Sequence, residues 1–206
     1  MTDSPIQSDL ARLAALPDRL RLALSFDAEV LANELAGLGP EAWTQHFVPE
    51  NYEGDWSVLP LRAPRGVTHP ILRITSNPGA VWEDTELLSA LPGFGAVRDS
   101  LNCEVTAMRL MRLGPGSRIK EHCDADLSAD FGTARLHIPI MTNPEVDFRL
   151  AGEAVTMAAG ECWYLQLSRP HSVANLGTTE RTHLVIDAQV NRWLAGLLLA
   201  AAQPAP

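Results

Sequence analysis

The chain has 206 residues, 46% of them apolar, enough for one well-buried core and short for two. Acidic residues outnumber basic ones by 25 to 16, for a net charge of −9, with no basic run of the kind that neutralises a phosphate backbone, so nucleic acid is not an expected partner. No apolar stretch approaches the roughly 20 residues of a spanning helix, and the opening MTDSPIQSDLARLAALPDRL has no basic segment leading into an apolar core, so no membrane contact and a cytoplasmic location are expected.

Residues 1–50 are rich in Leu, Ala and acids and read as a helical cover. Within them DAEVLANELAGLG (Asp27 to Gly39) spaces Val30, Leu31, Leu35 and Leu38 along one helical stripe and ends on glycines. From GDWSVLPLRAP (Gly54 to Pro64) onward the texture changes to short β-branched or alternating runs broken by Gly, Pro and Asn, with a helical pair around 83–90 and 93–102. Strands are predicted at 105–113, 118–122, 135–142, 146–150, 154–157, 162–166, 171–175 and 181–189. Many short strands separated by turns predict a mainly β sandwich or barrel rather than a parallel α/β sheet. The closing NRWLAGLLLAAAQPAP reads as a helix with a frayed tail. The expected organisation is a single domain over 1–206, with a helical cover (1–50), a β core (51–190) and a C-terminal helix and tail (191–206). Cys103, Cys123 and Cys162 form an odd set without CxxC spacing, which indicates reduced thiols rather than a disulfide framework or a structural zinc site.

The stretch SRIKEHCDADLS carries His122 and Asp124 two positions apart. On a strand such residues share a face while Cys123 turns away. An imidazole and a carboxylate on one face supply two-thirds of the 2-His-1-carboxylate set that holds Fe(II) and leaves positions open for chemistry. The same pair also suits a plain His–Asp hydrogen bond at a strand end. Further on, RPHSVANLG supplies His171 and ERTHLVIDAQV supplies Arg181, with turn chemistry in the intervening NLGTTE, so the two are expected on the arms of one hairpin. An arginine there suits a carboxylate of a dicarboxylic cosubstrate, because its planar guanidinium grips a carboxylate bidentately.

Taken in order, RLMRLGPGSRIKEHCDADLS, RLHIPIMTNPEVDF and AGECWYLQLSRPHSVANLGTTERTHLVIDAQ resemble the aspartyl/asparaginyl β-hydroxylase family of Fe(II)- and 2-oxoglutarate-dependent oxygenases, over roughly 51–189. The resemblance implies a double-stranded β-helix, a cupin-like jelly roll, with flanking N-terminal and C-terminal helices. It implies Fe(II) held by His122, Asp124 and His171, 2-oxoglutarate held by Arg181 with Arg135 and His137 lining the same site, and O2 as the oxidant. The implied reaction hydroxylates an amino acid, or an aspartyl/asparaginyl-type residue in a peptide or protein, and releases succinate and CO2. GDW followed by Leu61 and Arg62 is similar to the free-proline hydroxylases of the family, which makes Trp56 and Arg62 substrate-side candidates, with Arg62 pairing a substrate carboxylate. Some members lack the carboxylate that this chain has at Asp124.

Plainer readings stand beside these. Arg135 suits a surface ion pair and His137 a satisfied core histidine. His183, on the face of Arg181, Trp163 and Tyr164 suit packing. Asp187 suits a local backbone cap, and Cys123 a buried inert thiol. The rival class is a non-oxygenase cupin-like metal-binding or interaction module, which needs no Arg181.

Overall fold

A computed structural model describes residues 7–69, 73, 79–125 and 127–203. The helices are α1 (Gln7–Ala14), α2 (Ala28–Ala36), α3 (Glu86–Ser89), α4 (Pro92–Ser100) and α5 (Arg192–Ala201). Thirteen strands run β1 (Arg19–Ser25), β2 (Thr44–Gln45), β3 (Tyr52–Glu53), β4 (Trp56–Pro64), β5 (Trp82–Asp84), β6 (Val105–Leu113), β7 (Arg118–His122), β8 (Thr133–Met141), β9 (Val146–Leu150), β10 (Glu153–Ala154), β11 (Glu161–Leu165), β12 (His171–Asn175) and β13 (Arg181–Gln189). All pairings are antiparallel. The major sheet has the order β1-β11-β8-β13-β6-β4-β2, with β5 on β4, and the minor sheet has the order β10-β9-β12-β7-β3. This is the expected double-stranded β-helix, a cupin-like jelly roll with flanking helices.

Period-two alternation explains why the central strands of the major sheet are apolar on one face and charged on the other. Met108 and Leu110 of β6, Leu136 and Ile138 of β8, and Leu184 and Ile186 of β13 join the core that α2, α4 and α5 cover. Between them along the same strands stand Arg109, Arg135, His137, Arg181, His183 and Asp187, all buried. A second apolar cluster, with Trp56, Leu113, Ile119, Phe148 and Val173, includes residues of both sheets. The polar row therefore faces a barrel interior that residues of this apolar cluster also line.

The N-terminal segment is helical where its stripe predicts. Asp27 caps α2 by accepting from the backbone N–H groups of Glu29 (3.0 Å) and Val30 (3.1 Å), and Leu31 and Leu35 are buried while Val30 is exposed. It is not helical throughout: RLRLALS forms β1, which pairs with β11 at the edge of the major sheet, so this stretch extends the core that the sequence reading begins at 51. The 154–157 strand shrinks to β10, since only Glu153 and Ala154 find ladder partners. Among the described residues no helix is long and apolar enough to cross a membrane.

One expected juxtaposition is corrected. His171 and Arg181 do not sit on one hairpin: β12 pairs with β7 and β9 in the minor sheet, and β13 with β6 and β8 in the major sheet. The NLGTTE connection crosses from sheet to sheet, anchored by Asn175, whose Nδ2 donates to the carbonyls of Leu113 (3.0 Å) and Thr179 (2.8 Å). Each residue reaches the barrel interior from its own wall.

Candidate active site

A cavity of about 310 Å³ opens between the sheets, lined by His122, Asp124 and His171 on one side and by Arg109, Arg135, His137 and Arg181 on the other. His122 ends β7 and His171 begins β12, directly opposite each other in the ladder, with ring centroids 4.3 Å apart. Asp124 is not on the strand, as its spacing suggested, but in the loop that follows. Its N–H donates to the Leu167 carbonyl (2.9 Å), which turns the loop back toward the site. His122 Nε2 lies 3.7 Å from Asp124 Oδ1, and one donor atom from each of His122, Asp124 and His171 lies within 4.8 Å of the others.

The hydrogen bonds of these side chains suit a metal site. Nδ1 of His122 lies 2.8 Å from the Lys120 carbonyl and Nδ1 of His171 lies 3.1 Å from the Arg169 carbonyl. A carbonyl only accepts, so each Nδ1 carries a proton and each Nε2 is the ring nitrogen left to face a metal, the arrangement that outer hydrogen bonds impose on metal-binding histidines. Burial lowers the pKa of His171 and keeps it in the neutral form that binds a metal. Asp124 Oδ2 accepts from Arg135 Nη1, leaving Oδ1 on the side of His122. Two imidazoles that each turn Nδ1 to a backbone carbonyl, and one carboxylate with a free oxygen, are the donor set that suits Fe(II).

Behind Asp124 runs a buried charge network. Arg135 donates from Nε to Asp187 Oδ1 (2.6 Å) and from Nη2 to Asp187 Oδ2 (2.9 Å), and Arg109 Nη2 donates to the same Oδ2 (3.0 Å). Burial pushes the Asp187 carboxyl up, but Arg109 and Arg135 outweigh it and hold the group well below the usual carboxylate range. Asp187 is thus no local turn cap, and Arg135 is no surface residue. Arg109 escaped the sequence reading, although an arginine flanked by apolar residues in TAMRLMRL, alternating with Met111 and Leu113 on the same face, is a signal that this face carries a polar group.

Arg181 is in a different position. It is buried, its Nη2 donates to His183 Nδ1 (2.9 Å), its Nε has no partner, and it forms no ion pair with a carboxylate among the described residues. Burial alone lowers its pKa to about 9. Nearby, His137 is buried with neither ring nitrogen hydrogen-bonded among the described residues, and burial followed by the charge of Arg181 keeps it neutral. A neutral imidazole has one donor and one acceptor, so the cavity holds unmet hydrogen bonds next to an unpaired cation.

At the mouth, Trp56 is buried and its ring stacks on His46, with centroids 3.5 Å apart and planes 10° apart, while Tyr52 meets Trp56 edge-on at 5.6 Å. Trp56 Nε1 has no partner among the described residues. Burial, with Arg109 second, lowers His46 to about 4, so this wall is uncharged at neutral pH. Arg62 is a correction: it does not line the cavity, and its guanidinium is occupied by Asp84 and by the carbonyls of Val105 (3.1 Å) and Trp82 (3.2 Å). Cys123 is exposed rather than buried, whereas Cys162 is buried. Tyr164 packs in the core, its oxygen accepting from the Ala129 N–H (3.1 Å), and Trp163 donates to Glu161 (2.9 Å) on its own strand.

Comparison with known proteins agrees with this architecture. The model of the family described as aspartyl/asparaginyl beta-hydroxylase matches residues 26–190. An L-proline cis-4-hydroxylase of Rhizobium meliloti (strain 1021) is 27% identical over 183 residues, which cover 88% of this chain and 64% of that relative. The chain thus spans less than two-thirds of the length of that relative. Among solved structures, an oxidoreductase of the 2OG-Fe(II) oxygenase family from Burkholderia pseudomallei aligns over 92% of this chain and 95% of its own, with a TM-score of 0.53 at 17% identity. The non-heme alpha-ketoglutarate dependent epimerase SnoN from nogalamycin biosynthesis aligns over 89% of this chain and 84% of its own, with a TM-score of 0.53 at 14% identity. The strand order, the match over most of the chain and the ordered His122, Asp124, His171 and Arg181 agree: this chain belongs to the aspartyl/asparaginyl β-hydroxylase family.

Proposed function

We propose that the chain is an Fe(II)- and 2-oxoglutarate-dependent dioxygenase that hydroxylates a small amino acid or a short peptide. The observation that carries this reading is Arg181, a buried cation without a carboxylate partner among the described residues, in the same cavity as the three candidate ligands. Leaving a charge buried and unpaired is costly, so the residue is matched to an anion that arrives from outside. A metal-binding cupin without a cosubstrate has no use for it.

In this reading His122, Asp124 and His171 hold Fe(II). The iron, when bound, supplies the oxygen chemistry that couples decarboxylation of 2-oxoglutarate to succinate and CO2 with hydroxylation of a substrate C–H bond. Arg181 grips the far carboxylate of 2-oxoglutarate, and the free nitrogens of His137 meet its remaining polar atoms or a bound water. Arg135 keeps Asp124 turned so that one oxygen faces the histidines. The apolar walls, including Phe148, Val173 and Val185, exclude water from the reacting centre.

Arg109 takes over the role expected of Arg62. It lines the cavity with only Nη2 engaged among the described residues, which leaves donors for the carboxylate that every free amino acid carries. The uncharged wall of His46 and Trp56 suits an apolar side chain beside that carboxylate. The relative named for L-proline hydroxylation supports a free amino acid in particular. Free amino acids and short Asp- or Asn-containing peptides are to be screened for substrate-stimulated succinate release. Stimulation by at least one small compound is expected; stimulation only by a folded protein contradicts the small-substrate reading.

A further inference from the structure

The proposed site gives no role to His183, a buried polar residue on the strand that carries Arg181. His183 is 1% exposed, and its Nδ1 lies 2.9 Å from Arg181 Nη2, the one side-chain hydrogen bond that Arg181 makes among the described residues. A guanidinium only donates, so Nδ1 must be the bare nitrogen and Nε2 must carry the proton. His137 stands edge-on at 5.8 Å, and a second cavity, bounded also by Val155, Met157 and Thr156, touches the ring of His183. No carboxylate reaches either His183 or Arg181 among the described residues.

We infer that His183 is a positioning residue that aims Arg181 at the cosubstrate while leaving its charge uncancelled. The reasoning rests on the proposed 2-oxoglutarate site. An arginine on the inner face of a barrel strand has several staggered rotamers to choose from, and a single acceptor beside it selects one. A carboxylate at position 183 would fix the rotamer equally well, but it would also satisfy the cation, and an incoming dicarboxylate would then have to displace an internal ion pair. A neutral imidazole gives direction without competition. The strand supplies this geometry directly, since residues 181 and 183 of β13 point to the same face.

Isosteric substitutions separate this from mere packing. Protein loaded anaerobically with Fe(II) is titrated with 2-oxoglutarate by calorimetry for the wild type, His183→Asn, His183→Asp, His183→Leu and Arg181→Ala. His183→Asn keeps an uncharged acceptor and is expected to stay within about threefold of the wild-type Kd. His183→Leu is expected to weaken binding about tenfold or more, as befits one lost hydrogen bond to a charged group. His183→Asp has the size of Asn yet is expected to be at least about tenfold weaker than it, with Fe(II) affinity unchanged. Equal affinities for the Asn and Asp variants, or wild-type affinity for Leu, overturn the inference. If Arg181→Ala binds 2-oxoglutarate as the wild type does, the underlying site assignment fails instead. A measurement on the unmodified protein stands independently of variant folding: ¹⁵N correlation spectra of the imidazoles should show His183 neutral with the proton on Nε2 at pH 6 to 8. A proton on Nδ1, or a charged ring, rejects the proposal.

Discussion

Asp187 accepts three hydrogen bonds from two buried arginines, at 2.6, 2.9 and 3.0 Å, and is itself buried. Changing Asp187 to Asn keeps the shape but removes the charge and turns an N–H group toward a guanidinium. Among the described residues Arg109 is then left with no carboxylate and Arg135 with Asp124 alone. Breaking a buried pair by removing one partner costs about 3–5 kcal/mol, and each kcal/mol lowers Tm by about 2–4 °C for a chain of this size, so a fall of about 6–20 °C is expected. The folded pKa of Asp187 lies below its ordinary value of 3.8. Its stabilisation is therefore complete above that value and fades as pH falls below about 4 toward the folded value. Thermal melts of the two proteins should run parallel between pH 8 and 5 and converge only in stronger acid. A Tm change under about 2 °C at pH 7, or a gap that closes between pH 8 and 5, refutes the network as described.

Replacing His122 or His171 by Ala should abolish Fe(II) binding by equilibrium dialysis and succinate formation with it, and Asp124→Ala should nearly do so; undiminished turnover in His171→Ala removes the triad assignment. Arg181→Ala should weaken 2-oxoglutarate by about 2 to 5 kcal/mol in the same calorimetric titration, with Fe(II) affinity much less affected. Arg109→Ala should raise the KM for substrate at saturating 2-oxoglutarate, whereas Arg62→Ala, at a residue outside the cavity, should leave it unchanged; the opposite pattern restores Arg62 as the substrate partner.

Much of the site was legible because its signals are local. Strands β6, β7, β9, β12 and β13 fall where alternation and turn residues put them, and His122, Asp124, His171 and Arg181 do converge. What was hidden depends on contacts between distant positions. RLRLALS sits among leucines and alanines that suit a helix equally well, and only pairing with β11 makes it a strand. The turn residues of NLGTTE serve a crossing loop as readily as a hairpin, so sequence alone does not say which sheet receives β13. Asp187 looked like a strand-end cap because its partners, Arg109 and Arg135, lie 78 and 52 positions away. Arg62 and Arg109 both interrupt apolar strands, and register decides which of them faces the cavity.

The central claim is that one cavity binds Fe(II) and 2-oxoglutarate together. Anaerobic titration with Fe(II), with and without 2-oxoglutarate, tests it through the visible metal-to-ligand charge-transfer band of the chelated keto acid. A saturable band that requires both components, and is lost in His171→Ala, is the result predicted; Fe(II) binding without any such band, or a band that survives His171→Ala, contradicts the account.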